Sequence, residues 1–218
     1  MPKHPDWPTI RSEGPPPERH ADRVISEMTR WMHDDLLKFG PWMEALFNSA
    51  DVGSPKAQQR LVDRLRKTGV PAILSVGLQP GKRGKFALVL FCWDVPDRER
   101  PQIGVHQVIV KGLGGLSPSG GFRRDVESSR LFLVSRHALS RLAQRASVRT
   151  PDDLHAALLA MVQAVIDAIM AKKWVNDGAS PQEGWRLPFG GGVAVLRRDG
   201  KAEEHDLIVA TVLPNDRE

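Results

Sequence analysis

The chain has 218 residues, 41% of them apolar and 26% charged, so a globular core is affordable and wholesale disorder is excluded. A single cysteine, Cys92, excludes an internal disulfide and a cysteine-built zinc site. The formal charge of +5 is unevenly placed: from Arg123 to Arg149 seven arginines stand against Asp125 and Glu127, which by itself equals the excess of the whole chain. Clustered guanidinium groups suit an anionic partner, phosphate above all, because their forks match its geometry.

Residues 1–20 are rich in proline and charge, without an apolar period, and read as a disordered tail with no secretory leader. From Ala21, apolar side chains at Val24, Met28, Trp31, Met32, Leu36 and Phe39 recur every three or four residues, the pattern of an amphipathic helix. Gly40-Pro41 should end it, leaving a second short helical piece around Trp42 to Phe47. Ser54-Pro55 opens a further helix with Leu61, Val62 and Leu65 inward and Lys56, Arg60, Arg64 and Lys67 outward.

Strands are expected at 72–78, 85–93 and 103–111. The second is apolar on both faces and holds Cys92, which reads as a buried thiol; the third holds His106, which reads as structural. Residues 112–121, GLGGLSPSGG, read as a mobile loop and the one candidate sub-boundary within a single composite domain, 21–218. They match neither a P-loop nor a dinucleotide fingerprint.

A short strand, Leu131 to Val134, hands over through Ser135, a natural N-cap, to a two-faced helix. At about 100° per residue, His137, Arg141, Gln144 and Arg145 share one side, and Leu139, Leu142, Ala143 and Ala146 the other. Thr150-Pro151-Asp152-Asp153 starts a long helix, 150–173, that is apolar nearly all round and so should be buried or form a dimer. Extended segments are expected at 185–187 and 192–198, and 206–213 closes the chain as the partner of 193–198 in a C-terminal β-hairpin. The fold class that follows is α+β: N-terminal helices, an antiparallel or mixed sheet, a long buried helix and a C-terminal hairpin.

Metal-free RNA cleavage needs a base for the 2′-hydroxyl, an acid for the leaving oxygen and cations for the phosphorane. His137 is the candidate acid or base. Arg141 and Arg145, one and two turns on, can clamp the phosphate, and Arg186, Arg197, Arg198, His205 and Thr211 can complete a cleft if the helix packs across the last strands. Arg136 joins them as a phosphate contact. The seven histidines show no paired spacing, so neither metal nor cofactor is expected.

The string SRHALSRLAQR, after one strand and before a closing VATVL strand, resembles the RNase toxins of the RelE/barnase/EndoU/colicin-ribonuclease group, over roughly residues 130–213. The resemblance implies a ribonuclease-like C-terminal half with His137, Arg141, Arg145 and Thr211 as its catalytic set. The long helix 150–173 and the absence of tyrosine depart from that pattern. The reading that follows is a basic, cytoplasmic RNA- or phosphate-binding protein. The alternative is a non-catalytic interaction or adaptor protein, associating with itself or another protein through 150–173, away from any membrane.

Overall fold

The computed structural model describes residues 18–49, 54–68, 73–80, 86–94, 102–116, 122–171, 184–198 and 207–214. In chain order these form α1 (Glu18–Ser49), α2 (Pro55–Thr68), β1 (Ile73–Pro80), β2 (Phe86–Asp94), β3 (Ile103–Leu116), β4 (Phe122–Val134), α3 (Arg136–Arg145), α4 (Pro151–Met170), β5 (Trp185–Phe189), β6 (Gly192–Arg198) and β7 (Leu207–Leu213). The class is α+β, and the strands take the order β1-β2-β3-β4-β7-β6-β5. The chain divides into two compact units, one of Met1–Met28, Ser135–Arg197 and Val209–Glu218, the other of Thr29–Val134 and Arg198–Ile208. The chain passes from one unit to the other after Met28, Val134, Arg197 and Ile208.

The second unit is built on an antiparallel run of β1, β2, β3 and β4. Alternation puts Leu88 and Leu90 of β2, Val76 of β1 and Val110 of β3 on one face, where Leu61, Val62 and Leu65 of α2 close over them. Each such buried side chain contributes about 1.5 to 3 kcal/mol of transfer free energy. The Arg66 guanidinium adds a strut, donating to the Val76 carbonyl at 3.0 Å. His106 faces Cys92 across the β2–β3 ladder, and its Nε2 lies 3.2 Å from the Asp94 carboxylate, as suits a structural histidine.

In the first unit α4 is held at its start by a capping box. The Thr150 hydroxyl accepts from the Asp153 amide at 3.1 Å, and the Asp153 carboxylate accepts from the Thr150 amide at 3.0 Å. Leu154, Leu158, Met161, Val162, Val165, Ile166 and Ala168 are buried, and α4 packs on α3 and β5. Its exposed stripe is Ala156, Ala160, Gln163 and Asp167, with Gln163 donating to Asp167 at 2.8 Å. By length and composition alone Pro151–Met170 is apolar enough to cross a membrane; here its apolar face serves as core.

Four expectations need correction. Residues 18–20 belong to α1 and not to a tail, while 1–17 lie outside the described residues. α1 continues through Gly40 and Pro41 to Ser49, so one helix replaces two. Residues 112–116 of the expected loop extend β3, and 117–121 lie outside the described residues. The strand before α3 begins at Phe122, nine residues earlier than its apolar part.

Candidate phosphate-binding face

α3 starts immediately after Ser135, which is itself still extended at φ −70° and ψ 154°. The Ser135 hydroxyl accepts from the Ala138 amide at 3.1 Å, satisfying one of the four orphan donors of the helix start. The same hydroxyl donates to the Ala210 carbonyl of β7 at 3.1 Å, and the Ser135 amide donates to the Val209 carbonyl at 3.1 Å. One residue therefore caps the helix and fastens its start to the last strand.

From that anchor the periodicity of α3 does the rest. Ala138, Leu139, Leu142 and Ala143 are buried, which turns His137, Arg141 and Arg145 outward, all exposed. Successive members of this row are four residues apart, about 6 Å of rise. Ala146, expected inside, is only half-buried and serves as the C-cap. The Arg141 guanidinium donates to Gln144 at 3.2 Å, which holds it along the helix surface.

The first turn of α3 carries no acid. The positive end of the helix dipole therefore stands beside His137 with no acid to offset it, which favours an incoming anion. Arg136 also sits in this turn, where a cation is disfavoured by the dipole. Its guanidinium is engaged by Asp22 of α1 at 3.0 Å, with both side chains well exposed. A phosphate would have to compete with Asp22 for Arg136. Sequence reasoning missed this partner because the two residues are 114 positions apart.

The remaining candidates lie on the C-terminal strands. Thr211 is half-buried on β7, next in sequence to the carbonyl that receives the Ser135 hydroxyl. Arg186 of β5 pairs in register with Val195, so Arg186 and Arg197, two residues on along β6, share a face of that hairpin, both exposed. Arg198 closes β6 and falls in the other unit, and His205 lies outside the described residues. None of the hydrogen bonds or ion pairs among the described residues joins His137, Arg141 or Arg145 to Arg186, Arg197 or Thr211. The element brought to the root of the basic row is β7. Among the described residues no group of histidine, cysteine and carboxylate side chains is arranged to hold a metal ion.

No protein-family model, curated protein or solved structure matches the chain. An exposed row of one imidazole and two guanidiniums can hold phosphate oxygens by charge-assisted hydrogen bonds. Because the row is in water, its attraction is screened and must weaken with salt.

Proposed function

We propose that this protein binds RNA through backbone phosphates laid along α3, with His137 placed beside the phosphate as the acid or base of a metal-free cleavage. The observation that carries the reading is the single solvent-facing row of His137, Arg141 and Arg145 on a helix whose N-cap, Ser135, is hydrogen-bonded to β7. Arg141 and Arg145 act as the clamp. Thr211, next in sequence to the Ala210 carbonyl of that anchor, acts as a further hydrogen-bonding partner for the bound strand. Arg186 and Arg197 extend the basic surface on the β5–β6 hairpin.

The test is binding of a labelled single-stranded RNA over a salt series, together with cleavage of the same RNA in excess chelator. Arg141→Gln with Arg145→Gln should flatten the dependence of log K on log salt by about 1.4, since each phosphate contact on a single strand contributes about 0.7. His137→Ala should abolish cleavage while the protein stays folded. Wild-type binding that ignores salt overturns the phosphate reading. Cleavage that survives His137→Ala removes the imidazole from the chemistry and leaves α3 as a binding face only.

A further inference from the structure

The second basic surface of the molecule is on α2, in the unit that does not contain α3. Leu61, Val62 and Leu65 face the sheet, so the cations of this helix are pressed to its outside. Arg66 is spent as the strut to Val76. Arg60, Arg64 and Lys67, all exposed, instead surround one open hollow together with Asp63. The Asp63 carboxylate accepts from Gln59 at 3.0 Å, toward the helix start, and among the described ion pairs none joins it to Arg60 or Lys67. Three cations thus share a hollow with one acid.

Lys67, with Arg66, lies in the last turn, where a cation also complements the helix dipole. That accounts for Lys67 at the end of the row but not for Arg60, about two turns earlier on the same face. From Arg60 to Lys67 the row covers about 10 Å of helix rise. A lone phosphate would meet only part of it, whereas consecutive phosphates of a chain can occupy all of it. α2 carries no aromatic side chain on which a base could stack, so whatever it holds is held by its backbone.

We infer that the α2 hollow is a second phosphate-contacting site for single-stranded RNA, independent of α3 and indifferent to base sequence. The inference rests on the RNA reading of the α3 face and adds a separate place on the molecule where the strand is gripped. Because three contacts are involved, neutralising them should remove about 2 from the salt slope on a single strand.

The experiment compares four full-length proteins for binding of a labelled twelve-nucleotide oligouridylate and its oligoadenylate counterpart across a salt series. They are the wild type, Arg60→Gln/Arg64→Gln/Lys67→Gln, Arg141→Gln/Arg145→Gln, and a control with equal charge loss on α1, Arg19→Gln/Arg30→Gln/Lys38→Gln. Urea midpoints confirm that each is folded. The α2 variant should lose about 2 from the slope and at least tenfold in low-salt affinity, equally for both oligonucleotides, while the α1 control stays near wild type. A fifth protein, Arg60→Lys/Arg64→Lys, which keeps the charges, should retain most of the wild-type slope. An α2 variant indistinguishable from wild type, or an α1 control that falls as far, overturns this inference and leaves the α3 reading standing. An α3 variant that binds as wild type while the α2 variant fails overturns the α3 reading alone. A wild type that binds neither oligonucleotide overturns both.

Discussion

The hydroxyl of Ser135 bridges two elements 75 residues apart, donating to the Ala210 carbonyl while accepting from the Ala138 amide, each at 3.1 Å. Removing it leaves one carbonyl and one helix-start amide without their partner. Loss of an N-cap alone costs about 1 kcal/mol, and the bond to the β7 carbonyl contributes a similar amount. Ser135→Ala should therefore lower unfolding free energy by about 2 kcal/mol in urea titration, and Ser135→Thr, which keeps the oxygen, should recover most of it. An alanine variant as stable as wild type would mean that water replaces both bonds at no cost.

α3 and α4 are joined by a turn in which Ser147 adopts φ 48°, the one non-glycine residue at positive φ among the described residues. The Val148 amide donates back to Ala143 at 3.0 Å, and Val148 is buried, so the helix ends in a Schellman motif with serine in the place that glycine favours. A Cβ in this region costs roughly 1 to 2 kcal/mol, partly offset by the larger chain entropy that glycine loses on folding. Ser147→Gly should raise stability by about 0.5 to 1 kcal/mol, and Ser147→Val should lower it. A glycine variant that is less stable would show that the serine side chain makes a compensating interaction.

His155, on the second turn of α4, has its pKa lowered from 6.5 by burial, with Asp152 pulling weakly the other way. Its folded-state pKa lies below the unfolded one. The stabilisation is therefore complete above about pH 6.5 and is lost as pH falls through the lower folded value. The urea midpoint should drop between pH 7 and pH 5, and His155→Gln should make that drop shallower. An unchanged pH profile in the variant would place the acid sensitivity elsewhere.

Much of this architecture is legible in the residues. The threonine-proline-acid start of α4, the two-faced pattern of α3 and the unbroken apolar run of β2 each declare themselves by local chemistry. The first nine residues of β4 do not. FRRDVESSR is polar and lacks an apolar alternation, and Val126 to Arg130 are exposed in succession. Their extended form is imposed by the ladder to β3, where Ile109 faces Glu127 and Val108 faces Ser128. Pro41 shows the same override in a helix: a strong local breaker stands inside α1. At the candidate site, the row of His137, Arg141 and Arg145 follows from spacing alone. The Ser135 link to Ala210 and the engagement of Arg136 by Asp22 join residues far apart in sequence, and only the folded chain brings them together.

Cys92 carries the last prediction. It lies on the α2-facing side of β2, across from Ile73 and His106, and its thiol is pushed up from 9.0 to about 11, mainly by burial and further by the neighbouring Asp94 carboxylate. At pH 8 the folded protein holds it as the neutral thiol, so alkylation by iodoacetamide should be far slower than in urea. An unfolded chain releases the proton near 9, whereas the folded chain keeps it until about 11. Between those values the folded state binds more protons, so stability must fall as pH rises through that window. Cys92→Ala should remove that part of the alkaline loss. Rapid alkylation of the native protein at pH 8, under conditions where urea titration shows it folded, would place the thiol outside the core and cancel the predicted window.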